Sequence, residues 1–267
     1  MEYRRKHLGD KDSRVTESVT ELAKVLTVSH NEVQFEQLAR DFPEAWRTRS
    51  EDLARRGQWQ ESVSAAARLV EIRPDDHSGY HLMAPLLVQT GDRNAYEKLC
   101  AKITTRFAGA TNPYTADRMA KDCLILARPG ADLKVPGELA EIAVTRGRGA
   151  ALPNFQCCKA LAEYRQGHWD KAADWAMKAA ENRTPFSRAE AYAILAMAQY
   201  QSKRAEAAGV WLAKCTEIVE TQFSKLEDKD LGGDWRDWII AHALQSEAKR
   251  MIEAEPASGT GAANLPQ

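Results

Sequence analysis

The chain has 267 residues, with 37 basic and 38 acidic side chains giving a net charge of −1, so it offers no electrostatic footprint for nucleic acid or an anionic membrane. Hydrophobic residues make up 44% and charged residues 28%, the proportions of an ordinary globular protein. No apolar run approaches the roughly 18–20 residues of a membrane span, and no basic start leads into an apolar signal segment, so a cytoplasmic location is expected.

Five cysteines (Cys100, Cys123, Cys157, Cys158 and Cys215) lack framework spacing and read as small apolar filler between helices.

In chain order, residues 1–42 form an N-terminal helical segment. Within it, "YRRKHLGDKDSRVTESVTELA" at 3–23 carries Arg5, Lys6, Leu8, Gly9, Val15, Ser18, Leu22 and Ala23 in register with a known pattern. That pattern resembles the repeat join of kinesin-light-chain-type tetratricopeptides, with Asp12-Ser13 in place of the usual His-Pro. The resemblance implies that the chain starts in the second helix of a repeat whose first helix is missing. A repeat cannot bury its face without a neighbour, so the chain is expected to be the C-terminal portion of a longer array, or a short gene derived from one.

The next stretch, "FPEAWRTRSEDLARRG", puts Phe42, Trp46 and Leu53 on one helical face, with Pro43 tolerated in a first turn. Gly57 stops this helix, and a second follows with Trp59, Val63, Ala66 and Val70 on one side until Pro74 ends it. The hairpin recurs. Gly91 lies 34 residues after Gly57, Gly130 lies 39 further, Gly167 lies 37 beyond that, and Lys203 takes the same turn 36 later. Five helical hairpins at nearly constant pitch over 43–221 describe an α-solenoid. Two irregularities are expected: a kink or frayed turn at Pro85, and a late start, marked by Pro136, for the second helix of the third unit.

Residues 222–253 are expected to be a loop and a capping helix, "GDWRDWIIAHALQSEAKRMI". Asp234 is its N-cap candidate, Asp237 sits in its first turn, and Lys249 with Arg250 sit in its last. Trp235 and Trp238 are expected in the core, packed on the last open face. The tail 254–267 lacks periodicity and reads as disordered. The whole predicts an all-α protein of about thirteen helices in antiparallel pairs, forming a right-handed superhelix.

Trp46, Leu53, Gly57, Trp59 and Pro74, and then Ala160, Tyr164, Gly167, Trp169 and Ala172, occupy the places that tetratricopeptide repeats fill with aromatic, small and helix-ending residues. The chain resembles that family, although Ser62 stands where the family prefers Ala. Through "GDRNAYEKLCAKITTRF", "TADRMAKDCLILARPGADL", "ALAEYRQGHWDKAADWAMKA" and "GDWRDWIIAHALQSEA", roughly residues 44–253 also resemble the repeat region that follows the catalytic or β-propeller domain of large bacterial serine/threonine protein kinases. The resemblance implies a non-catalytic signalling scaffold. The competing readings are a stand-alone adaptor or co-chaperone, and an enzyme with a site between repeats.

Kinase chemistry has no carrier: there is no His-Arg-Asp, no Asp-Phe-Gly and no P-loop. No cofactor or metal is expected. His77 and His81 have zinc-ligand spacing but no third ligand, and core or solvent positions suit them better. What remains is a groove. By alignment with the family, Arg47, Glu51, His81, Gln89, Asn154, Arg165 and Gln201 are candidates to face a protein or peptide segment on the concave wall. Arg47 and Arg165 are expected to be exposed. Glu51 stands where a carboxylate clamp of the chaperone-binding type would want Asn, which disfavours that role.

Overall fold

A computed structural model of the chain describes residues 13–181 and 184–253. Residues 3–12 of the N-terminal resemblance and the 254–267 tail lie outside these. The described residues hold thirteen α-helices and no strand. They are α1 (Ser13–Val28), α2 (Glu32–Asp41), α3 (Glu44–Arg55), α4 (Trp59–Ile72), α5 (His77–Gln89), α6 (Arg93–Arg106), α7 (Pro113–Leu124), α8 (Lys134–Arg146), α9 (Leu152–Arg165), α10 (Trp169–Ala180), α11 (Pro185–Gln201), α12 (Ala205–Gln222) and α13 (Trp235–Ile252).

Odd-numbered helices pack on their odd-numbered neighbours from α1 to α13, forming an inner layer, and each even-numbered helix closes a hairpin with its predecessor. This is a solenoid of helical hairpins with a C-terminal helix. One core runs its whole length, from Val15 through Trp46, Tyr80, Met119, Phe155 and Ile194 to Leu244.

The five turn markers share one backbone state: Gly57, Gly91, Gly130, Gly167 and Lys203 have φ between 63° and 80°. After this left-handed residue, the next N–H bonds back to a carbonyl five residues earlier: Gln58 to Leu53, His168 to Glu163, and Arg204 to Gln199. The bond satisfies an orphan carbonyl at the helix end, which is why glycine recurs at this pitch. Lys203 adopts the same state against its Cβ, at a cost of about 1 kcal/mol. Lys203→Gly is therefore expected to raise stability by about 0.5–1 kcal/mol, read as a higher denaturation midpoint at unchanged m-value.

A sixth turn of this kind, at His30 (φ 51°), joins α1 to α2, with Asn31 N–H bonded to Leu26 O. It was missed at the sequence level because histidine does not advertise it. α1 packs on α2 and α3 as α3 packs on α4 and α5, so α1 is the first helix of a hairpin, and the second helix expected at the chain start before it lies outside the described residues.

α5 runs unbroken through Pro85, so the frayed turn does not occur. Ala84, Pro85 and Leu86 are buried on every side, and that packing outweighs one missing hydrogen bond. α8 starts four residues after Gly130, whereas α4, α6, α10 and α12 each start two after their markers.

Candidate peptide-binding channel

The inner helices form a wall whose polar stripe should face solvent. Here α13 fills that space. It packs on α11 and α12, as the next first helix would, and its far side lies against α5. The segment leading into it ties down the opposite end of the array. Arg55 at the end of α3 pairs with Asp230 (2.8 and 2.5 Å) and accepts the Leu231 N–H at its carbonyl. The Arg55 hydrogen bonds hold the Asp230 pKa down at about 2. Leu226 reaches Gly57, Trp238 stacks on Trp59 at 6.5 Å, Trp238 Nε1 donates to Ser224 O, and Arg236 lies 3.4 Å from Glu51. Residues 224–238 thus form a clasp between the α3–α4 hairpin and the last repeat. Trp235 and Trp238 are core residues, as expected.

Beneath the start of α13 lies a charged floor. On α7, Asp117, Lys121 and Asp122 are buried; on α11, Glu190 is buried. Lys121 Nζ lies 3.3 Å from Glu190 Oε2, Cys157 Sγ donates to the same oxygen at 3.4 Å, and His81 Nδ1 stands 3.0 Å from Asp122 Oδ1. Asp117 Oδ1 and Asp122 Oδ2 have no hydrogen-bond partner. Burial pushes Asp117 up to about 6, against the pull of Lys121, and raises Asp122 and Glu190 as well. Burial works against the Lys121 ammonium, yet Glu190 and Asp117 keep its pKa well above the usual value. His81 is driven down by burial and by the nearby cations Arg236 and Arg118.

The buried carboxyl makes a pH prediction. Folded Asp117 holds its proton up to about pH 6, whereas the unfolded residue releases it near 3.8. Stability contributed by that proton is present below pH 3.8 and is lost as pH rises through about 6. Asp117→Asn is expected to flatten this window and to stabilise the chain at pH 7 by about 1–2 kcal/mol, less than the full shift because Lys121 loses a partner. Denaturant melts of both proteins between pH 4 and 8 provide the check.

The residues expected to line an open groove are not brought together. Arg47 is exposed and Glu51 half-buried, paired at 3.5 Å. They face a cleft of about 410 Å³ between α1, α3 and the start of α13, lined also by Thr16, Thr20, Lys24 and Arg236. His81 is in the floor. Gln89 and Gln201 end their helices half-buried, and Gln201 bonds Tyr164. Asn154 is exposed and accepts from Ser187 Oγ at 2.6 Å.

Arg165 corrects the expectation of an exposed cation: its side chain is 6% exposed. Its guanidinium forks onto Glu247 of α13 and donates to the carbonyls of Leu124 and Ile125. The same helix that covers it closes the concave wall from α5 to α11, so the groove is not open over that length.

His77 bonds Arg118 through Nε2, and no group of three or more His, Cys, Asp or Glu able to hold a metal occurs among the described residues. No helix among the described residues is long and apolar enough to cross a membrane.

Sequence reasoning missed Asp117, Lys121, Asp122, Glu190 and Arg236. A signal existed. Apolar residues run round the inner helices α9 ("FQCCKALAEYR") and α11 ("AEAYAILAMAQ"), and even the polar Lys159 and Glu163 of α9 and Glu190 of α11 are buried. A first helix without a wet face announces a covered groove.

No protein-family model and no curated protein matches the chain. Similar solved structures include one titled MamA 41-end from Desulfovibrio magneticus RS-1, at 16% identity and TM-score 0.44 over 68% of this chain and 97% of that one. A MamA RS-1 ArsTM double mutant (16%, 0.44, 67% and 95%) and MamA MSR-1 C2 (17%, 0.43, 66% and 95%) are similar to the same degree.

Proposed function

We propose that the chain is a non-catalytic protein-interaction module that holds a partner segment in the cleft between α1, α3 and the start of α13. The observation that carries this reading is the cleft itself: an opening of about 410 Å³ on the inner wall, lined by Arg47, Glu51, Lys24 and three threonines. Its mixed charge and hydroxyl rim suit a polar peptide, whose backbone they can hydrogen-bond while its charges find partners of either sign. A stand-alone adaptor fits this arrangement. The finer reading, the repeat region of a bacterial kinase-type signalling protein, is supported by the sequence resemblance of residues 44–253 and is tested by an in-frame kinase domain in the gene.

The cleft is tested with Arg47→Glu. Arg47 is 46% exposed in its side chain and makes one loose ion pair, so melting should shift by less than about 0.5 kcal/mol. Recovery of captured partner should fall with the substitution. Unchanged recovery at unchanged melting would remove the cleft from consideration.

A further inference from the structure

All five cysteines are buried and reduced, and two of them share a pocket. Cys100 on α6 and Cys123 on α7 meet where these helices pack. Cys100 Sγ donates to Asp122 O at 4.0 Å and Cys123 Sγ donates to Cys100 O at 3.9 Å, so each sulfur reaches the backbone beside the other. Tyr96 joins them, its hydroxyl donating to Asp122 O at 2.8 Å and accepting the Leu126 N–H at 3.3 Å. Arg128, in the loop after α7, donates Nη2 to Cys123 O at 3.2 Å, and its buried Nε has no hydrogen-bond partner. Cys123 and Arg128 both line a cleft of about 420 Å³ between the end of α7, this loop and α9, which gives a small molecule a way in from solvent. Surroundings separate this pair from the other three thiols. Hydrogen bonding with Cys123, helped by Arg128 and Tyr96, lowers the Cys100 pKa against the effect of burial. Burial raises Cys157 and Cys158, with the buried acids Glu190 and Asp117 adding to it, and pushes Cys215 up to about 12. The thiolate is the attacking form of a cysteine, so Cys100 is the most reactive of the five.

We propose that the Cys100–Cys123 pocket is a peroxide-reactive modification site, in which Cys100 attacks, Cys123 resolves, and the product is a disulfide that staples α6 to α7. Cys100 gives its proton to water and its sulfur attacks one oxygen of the peroxide. The O–O bond breaks, and the departing hydroxide takes up a proton and leaves as water. Cys100 is now a sulfenic acid. The Cys123 sulfur attacks the Cys100 sulfur, the S–O bond breaks, and the hydroxide released takes the Cys123 proton to become a second water. One peroxide is thus reduced to two waters while two thiols are oxidised to one disulfide. An external thiol reverses the bond by exchange and is itself oxidised. Arg128 acts through Cys100, as a fixed positive charge beside the sulfur that becomes anionic.

The first test uses the full chain without substitution. The folded protein is treated with hydrogen peroxide, the remaining thiols are alkylated after denaturation, and unreduced peptides are mapped by mass spectrometry. A cross-link between Cys100 and Cys123 within one chain, lost on treatment with dithiothreitol, is expected before any change at Cys157, Cys158 or Cys215. All five thiols reacting together would mean that peroxide acts through unfolding. That result would overturn the proposal, as would oxidation that begins at another cysteine, or Cys100 and Cys123 left free.

Variants then assign the roles. In Cys123→Ser the reaction stops at the sulfenic acid, which dimedone traps on Cys100, whereas in Cys100→Ser no dimedone adduct forms on Cys123. The reverse pattern refutes the assignment of attacking and resolving thiols. Arg128→Met is expected to slow the loss of the Cys100 thiol about tenfold, and Arg128→Lys to keep the parent rate, because a cation of either shape favours the thiolate. Equal rates in the parent and the Met variant would remove Arg128 from the site.

Discussion

Replacing both Trp235 and Trp238 with alanine is expected to abolish cooperative folding at moderate temperature. Trp235 is 1% exposed and Trp238 7%, and each Trp→Ala change in a packed core costs about 3–5 kcal/mol. The pair together approaches the whole stability of an ordinary domain, about 5–15 kcal/mol. Two features push the effect beyond a local cavity. Trp238 stacks on Trp59 across the array and donates its indole N–H to Ser224 O, so its loss opens the clasp as well as the cap. Without α13, the inner faces of α11 and α12 lose their cover, and apolar surface meets water. Aggregation on heating, or a melt shifted far below the parent, is the expected readout. A double variant that melted like the parent would mean that α13 contributes nothing to closure.

The second large effect centres on Arg165. Changing it to Glu places an acid against Glu247 and strips donors from the Leu124 and Ile125 carbonyls, all within a site almost closed to water. Breaking a buried ion pair from one side costs about 3–5 kcal/mol, and the added like charge takes the cost higher. Unfolding or severe destabilisation is expected, where an exposed groove cation would have tolerated reversal. The milder Arg165→Met separates charge from shape. In that background, Glu247→Gln should recover part of the stability, because it removes the carboxylate left without a partner. Chemical denaturation of Arg165→Met, Glu247→Gln and the double variant gives a coupling energy, and a value near zero would show that the pair is solvated.

These two expectations share an origin in the way the array closes on itself, and that closure was only partly written in the chain. Local rules carried the repeat. Glycine every three dozen or so residues marks a left-handed turn that side chains resist, and Gly57, Gly91, Gly130 and Gly167 each sit there, with Lys203 in the same conformation. Helix periodicity placed Trp46, Leu53 and the Trp pair of α13 in the core, since a helix face is fixed by residues three and four apart. Pro136 gave away the late start of α8 because its ring suits a helix's first turn. Each of these signals acts over one or two turns of chain.

The site obeyed longer-range logic. Whether Arg165 met solvent or Glu247 depended on a helix 82 residues away, and no pattern around Arg165 records that distance. His81 and Asp122 are 41 residues apart, and Glu51 and Arg236 are 185 apart. Charge alone on α7 reads as a wet surface, yet α13 turns Asp117, Lys121 and Asp122 into a buried cluster with raised carboxyl pKa values. The sequence by itself determined the unit, its pitch and its turns, because these follow from backbone sterics and the period of a helix. The tertiary structure decided which of those units meet across the channel, because curvature accumulates small packing angles that no single repeat specifies.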